Sequence, residues 1–137
     1  MQSLGEMQSD GIRDTWGGRP RSKATVLVVE DDDDTRAALA DTLTDLGHSI
    51  EVRADGVAAL ERLGSADFDA VLTDVRMPGA PDGLQLAEWL RANRPATPVL
   101  LQTGYTRLPT GGFPLLQKPF TPEDLGAALA ALGIAAV

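Results

Sequence analysis

The sequence contains no cysteine, which excludes disulfides, thiolate metal sites, iron–sulfur clusters and cysteine nucleophiles. The lack agrees with a reducing compartment without proving one. Only one histidine is present, His48; it follows Gly47, has no second histidine near it to build a metal centre, and reads as a surface residue. No apolar run approaches the roughly 20 residues of a membrane span. Residues Met1–Lys23 lack the apolar centre of a signal peptide. These absences set the expectation of a cytoplasmic protein with no membrane partner. Basic charge is also scarce: 20 acidic residues face 12 basic ones, for a net charge of −8. A general affinity for nucleic acid is excluded on that ground, because polyphosphate would be repelled. What is present fits one ordinary globular domain: 137 residues, 43% hydrophobic and 23% charged, enough to bury roughly two-thirds of the unfolded surface. The acid is unevenly spread. Glu30-Asp31-Asp32-Asp33-Asp34 places five carboxylates in one row.

Residues 1–23 read as a flexible N-terminal tail, and residues 24–137 as the domain. The tail has four glycines, alternating charge and no period of two or 3.6 residues. Its basic end, Arg19-Pro20-Arg21-Ser22-Lys23, is read as a solvated linker. The tail carries four basic and three acidic residues, so Ala24–Val137 carries −9. From Ala24 the pattern changes. Thr25-Val26-Leu27-Val28-Val29 is a β-branched apolar run suited to a strand buried on both faces. A helix follows the acidic row, with Ala37, Leu39, Leu43 and Leu46 on its apolar face and Gly47 at its end. Ser49–Arg53 is a second, more polar strand. Asp55 caps a short helix carrying Val57, Leu60 and Leu63 and stopping near Gly64. Ala70–Thr73 is a third strand ending at Asp74, and Met77–Gly83 a loop. Leu84–Asn93 is a helix with Leu86, Trp89 and Leu90 on its apolar side. Pro98–Gln102 is a fourth strand ending at Thr103, and Leu115–Gln117 a fifth ending at Lys118. Thr121-Pro122-Glu123-Asp124 opens a last helix with a threonine cap, a proline and acids in the first turn. Strands alternating with helices predict an α/β fold with a doubly wound parallel sheet. Between the fourth and fifth strands, Tyr105–Pro114 is rich in proline and glycine and leaves room for a loop or a single turn only.

The polar residues of interest share one kind of position. Glu30 and Asp31 end the first strand, Asp74 the third, Thr103 the fourth and Lys118 the fifth. Ligands of open parallel sheets bind at the carboxyl ends of the strands, where the strand order reverses. Crowded carboxylates repel, so they favour a bound cation or a raised pKa. With only oxygen ligands on offer, the cation is a hard one, Mg²⁺ or Mn²⁺. A carboxylate beside such a metal can attack phosphorus and form an aspartyl phosphate. Lys118 can pair with one phosphoryl oxygen and Thr103 can donate to another. Asp74 is the best nucleophile, since it stands alone at the end of a central strand. Glu30 and Asp31 are adjacent, as metal holders should be.

The order Val28-Val29-Glu30-Asp31, then Asp74-Val75-Arg76-Met77-Pro78 with Gly83, then Thr103-Gly104, then Lys118-Pro119-Phe120 resembles the receiver domain of bacterial two-component response regulators. The resemblance covers about Ala24–Leu132. It implies the flavodoxin-like receiver fold, a five-stranded parallel sheet in the order 2-1-3-4-5 with the fourth helix shortened or missing. It implies that Asp74 accepts a phosphoryl group from a phosphohistidine on a sensor histidine kinase, or on a histidine phosphotransfer protein in a phosphorelay. It implies that Glu30, Asp31 and Asp74 hold Mg²⁺ together with the backbone carbonyl of Arg76. Thr103 would be the switch hydroxyl, Lys118 the phosphate-sensing lysine, and the Lys118-Pro119 bond cis. Such a module is a switch of protein–protein contacts rather than an enzyme, and its downstream target is not named by the sequence. Three departures from the family pattern stand out. The Asp74–Gly83 loop is one residue longer than the commonest form, the Thr103–Lys118 segment is several residues short, and Leu115 stands where an aromatic switch residue is usual. Only five residues follow Leu132, so no output domain is expected behind it.

Two other functions share parts of this residue set. A phosphatase of the haloacid dehalogenase type also uses an aspartate nucleophile, Mg²⁺, Thr and Lys, but needs a second acid two residues after the nucleophile, where Arg76 stands. A pseudo-receiver would bind protein partners without phosphate, against which stands the intact set Glu30, Asp31, Asp74, Thr103 and Lys118. Among the remaining polar residues, Asp32, Asp33 and Asp34 read as helix-capping acids rather than ligands, and Arg36 as a salt-bridge partner. Gly104 is expected to leave access to Asp74. Arg76 and Tyr105 are expected to flank the phosphoryl group and slow its hydrolysis.

Overall fold

The computed structural model describes residues 24–105 and 110–134. Residues 1–23, the expected tail, lie outside the described residues. The elements run β1 (Thr25–Val29), α1 (Asp33–Asp45), β2 (Ser49–Arg53), α2 (Gly56–Leu63), β3 (Ala70–Asp74), α3 (Gly83–Asn93), β4 (Val99–Thr103), β5 (Leu115–Gln117) and α4 (Pro122–Ala131). All strand pairs are parallel, in the order β2-β1-β3-β4-β5. The sheet order therefore reverses between β1 and β3, where the expected site lies.

The alternation of side chains along each strand divides the core into two layers. Leu27 and Val29 of β1, Val71 of β3 and Val99 and Leu101 of β4 pack under α2 and α3 with Ala59, Leu63, Leu86 and Leu90. Val26, Val28, Leu72 and Leu100 face the other way, under α1 and α4 with Leu39, Leu43, Leu125 and Leu129. A sheet covered on both faces is what an apolar run such as Thr25–Val29 requires, since exposing either face would forfeit roughly 25 cal/mol per Å² of apolar surface.

The helix starts follow local chemistry. Asp32 caps α1 by accepting from the Thr35 amide, and Asp55 caps α2 by accepting from the Ala58 amide. Reciprocal capping boxes close the starts of α3 (Asp82 with Gln85) and α4 (Thr121 with Asp124). The apolar faces differ in part from the periodic reading. Ala37 is exposed, so α1 buries the narrower stripe Leu39 and Leu43. Val57 is 55% exposed, and Ala59 takes the place under α2 expected for it.

His48 is not a surface residue. It is buried, and its Nδ1 accepts from the Ala24 backbone amide at 3.2 Å. That bond ties the turn after α1 to the start of β1. The neighbouring amide, Thr25 N, donates to Asp69 Oδ2 at 2.8 Å, so the first two amides of the described chain are both held by side chains. Burial lowers the His48 pKa below its ordinary value, against an opposing pull from Asp69, and His48 Nε2 finds no hydrogen-bond partner among the described residues.

No helix lies between β4 and β5 among the described residues. Residues 106–109 lie outside them, and Thr110–Pro114 forms a turn with Gly111 and Gly112 at φ +61° and +84°, values that glycine adopts without a Cβ penalty. Phe113 packs on the α2/α3 layer. The Arg91 guanidinium lies 3.9 Å from the Phe113 ring centroid and donates to the Gly111 carbonyl at 2.6 Å. One aromatic ring and one arginine of α3 thus cover sheet surface next to β5, where Leu115 stays 40% exposed.

Candidate functional site

The carboxyl ends of β1, β3, β4 and β5 meet at one rim. Glu30 follows β1 directly and is 1% exposed. Its Oε1 accepts from Lys118 Nζ at 3.2 Å and from Gln102 Nε2 at 3.2 Å. Its Oε2 accepts from the Asp32 amide at 3.0 Å, and the Glu30 carbonyl accepts from Arg36 Nη1 at 2.9 Å. Asp74 ends β3, with its side chain 14% exposed, and its Oδ1 lies 3.7 Å from Lys118 Nζ. Glu30, Asp31 and Asp74 each offer a carboxylate oxygen, all within 4.8 Å of one another. Three acids that close, with one ammonium between two of them, form an acidic nest with a single cationic partner among the described residues.

Electrostatics follow from the packing. The Asp74 carboxyl is pushed up to about 6, first by burial and then by repulsion from Glu30 and Asp31. Lys118 and the Val75 amide pull it down without cancelling the rise. A carboxylate crowded in this way is relieved by a further cation.

Local structure explains the aim of each group. The Lys118-Pro119 bond is cis, as the resemblance implied, and the Lys118 amide donates to the Thr103 carbonyl at 2.8 Å, which anchors the lysine to β4. Thr103 is buried, and its Oγ1 accepts from the Tyr105 amide at 3.1 Å. Gly83, the first residue of α3, lies under the Asp74 backbone: a Cβ there would sit 1.7 Å from the Asp74 carbonyl oxygen. The long β3–α3 loop thus returns against Asp74 only because residue 83 has no side chain. At Gly104 a Cβ would meet nothing within 4 Å, consistent with open space above the site. Arg76 is exposed, and its guanidinium lies 5.0 Å from the Tyr105 ring centroid, so the two residues expected to flank the site pair with each other. Asp33 and Asp34 are exposed, Asp32 caps α1, and Arg36 pairs with Asp33.

Residues Val26–Ala130 match the family model of the response regulator receiver domain. The chain belongs to the response regulator receiver family. Among this receiver domain's relatives, the transcriptional regulatory protein TcrA of Mycobacterium tuberculosis is 39% identical over 118 residues, covering 81% of this chain and 46% of that protein. The response regulator MprA of Mycobacterium avium is 37% identical over 114 residues, covering 78% and 50%. The chain spans about half the length of these curated relatives. Among solved structures, the chemotaxis protein CheY4 of Vibrio cholerae superposes with a TM-score of 0.72 at 33% identity, covering 80% of this chain and 98% of that one. The response regulator TrrA of Thermotoga maritima, solved in complex with Mg²⁺–BeF, superposes with a TM-score of 0.73 at 27% identity, covering 79% and 97%. The receiver domain is accordingly a two-component signalling module with the flavodoxin-like sheet. Among the described residues no helix is long and apolar enough to cross a membrane.

Gln102 and Arg36 touch Glu30 and were not singled out as site residues by sequence. Gln102 carried a readable signal: it is a long polar side chain inside the run Val99-Leu100-Leu101-Gln102 of a strand buried on both faces.

Proposed function

We propose that this receiver domain accepts a phosphoryl group on Asp74 from a phosphohistidine of a sensor kinase or phosphotransfer protein, and that it signals by changing its protein contacts. One observation carries the reading: Lys118 Nζ stands between Glu30 and Asp74, 3.2 Å and 3.7 Å away, at the strand ends where the three carboxylates converge. The donor set is all oxygen, and the crowding that raises Asp74 calls for a hard cation, so Mg²⁺ fits, with Mn²⁺ as a substitute. Glu30, Asp31, Asp74 and the Arg76 backbone carbonyl would hold it, and when bound it supplies positive charge to the phosphoryl oxygens.

The chain's own groups do the rest. An Asp74 Oδ attacks phosphorus; the new P–O bond forms as the P–N bond of the phosphohistidine breaks, and the imidazole nitrogen leaves with the electron pair. Lys118 shifts its hydrogen bond from Glu30 towards a phosphoryl oxygen. Thr103, whose Oγ1 already accepts from the Tyr105 amide, donates its hydroxyl proton to another. The receiver domain is taken to run over residues 24–137, with residues 1–23 as a flexible tail joined to it. The test is incubation with acetyl phosphate and Mg²⁺ followed by mass spectrometry. One phosphoryl adduct is expected in the native chain and none in Asp74→Asn. No adduct in the native chain, together with no response to beryllofluoride, would overturn the reading in favour of a protein-binding pseudo-receiver.

A further inference from the structure

We infer that Gln102 is an additional positioning residue of the site, holding the Glu30 carboxylate in place while Lys118 moves to the phosphoryl group; the inference rests on the function proposed above. Gln102 is the residue of β4 paired with Asp74 of β3, it is fully buried, and it precedes Thr103. Its Nε2 donates to Glu30 Oε1 at 3.2 Å, the same oxygen that accepts from Lys118 Nζ. The Gln102 amide thus faces Glu30 with its nitrogen, which donates to the carboxylate oxygen. That orientation leaves Gln102 Oε1 buried with no partner among the described residues. A hydrocarbon side chain in the middle of a sheet would avoid this defect. Local rules of this kind are broken where function requires it.

The arrangement has a consequence for the switch. Glu30 is 1% exposed, so water reaches it poorly. When Lys118 leaves for the phosphoryl oxygens, Glu30 Oε1 would lose the charged donor it has among the described residues. Gln102 does not move with Lys118, because it belongs to β4, and its amide continues to satisfy that oxygen. With the Asp32 amide on Oε2, it holds the carboxylate at both oxygens in a single rotamer. Glu30 is thereby kept aimed at the place where it and Asp31 would hold the cation. Partners that orient a metal ligand through hydrogen bonds typically matter 10–100-fold in affinity.

The test compares the native chain with Gln102→Met, which keeps length and burial and removes the donor. Mg²⁺ alone is titrated by calorimetry, and thermal stability is measured in metal-free buffer. Amide NMR of metal-free protein follows the Gln102 side-chain NH₂ in the native chain. The expected result is Mg²⁺ binding weakened roughly 10-fold in the variant, with a melting temperature no lower than native because the orphan carbonyl is gone. One native Gln102 amide proton should exchange slowly, as a proton held by Glu30 would. At saturating Mg²⁺ the variant should still form the Asp74 adduct, showing that its defect lies in holding the cation. Unchanged Mg²⁺ affinity in the variant would overturn the positioning role. So would a melting temperature that falls along with the affinity, which marks a structural role only. If the native chain itself neither binds Mg²⁺ nor forms an adduct, the proposed function fails and this inference with it.

Discussion

Asp74→Asn should make the metal-free protein more stable, although it removes the phosphoacceptor. The Asp74 carboxyl is held at about 6, against an ordinary value of 3.8, and its side chain is only 14% exposed. The difference of about two pH units corresponds to about 3 kcal/mol at 1.36 kcal/mol per unit. The sign follows from linkage. A group whose folded pKa is raised contributes stability that is fully present below its unfolded pKa and is lost as pH rises through the folded value. At pH 7.5 the native fold therefore carries the whole cost of an ionised Asp74, while Asn of the same shape carries none. The expected gain is about 3 kcal/mol at pH 7.5, or roughly 10 °C in Tm for a domain of this size, shrinking towards zero near pH 4. Thermal denaturation of both proteins in chelator-treated buffer from pH 4 to 8 measures it. Saturating Mg²⁺ should narrow the gap from the other side, by stabilising the native carboxylates and not the variant's incomplete set. An Asn variant no more stable than native at pH 7.5, or a gain that does not vary with pH, would refute the argument that burial and the Glu30 and Asp31 charges strain Asp74.

His48 should act in the opposite direction. Its folded pKa is depressed by burial, so its contribution is present above the unfolded value near 6.5 and lost as pH falls through that region, at a slope of at most about 1.4 kcal/mol per pH unit. Measured in an Asp74→Asn background, the acid limb between pH 7 and 5 should be shallower in His48→Gln, which still offers an acceptor to Ala24; an unchanged limb would refute it. The Arg76–Tyr105 pair over the rim should shield the aspartyl phosphate, so Arg76→Ala with Tyr105→Ala should shorten the adduct half-life several-fold. A half-life as long as native in a time course of adduct loss would dismiss that role.

The elements that were legible in the sequence are those in which local chemistry and tertiary demand agree. Val26–Val29 is apolar on every residue because both faces are covered, and Asp55 and Thr121 sit where helices need acceptors for free amides. The candidate site was legible because charge at the end of a buried strand is costly without a purpose. What could not be read depends on partners distant in the chain. The buried His48 accepts from the amide of Ala24, 24 positions earlier. Gln102 meets Glu30 across 72 positions. Val57 is exposed and Ala59 buried, and the start of α2 is set by a close approach from outside the helix: a Cβ at Gly56 would sit 2.1 Å from the Pro81 carbonyl oxygen.

The clasp of His48 and Asp69 on the first amides of β1 has a practical consequence. It holds the start of a five-residue strand whose other end carries Glu30. At about 3.3 Å per residue, roughly 16 Å of sheet separates the two ends. Cargo joined directly to Ala24 in place of residues 1–23, whether a fluorescent reporter, an affinity handle or a surface tether, would be attached at the pole facing away from the acids. The rim would stay open to a phosphodonor on an immobilised molecule, which makes the start of β1 the rational point of attachment for a biosensor built on this switch.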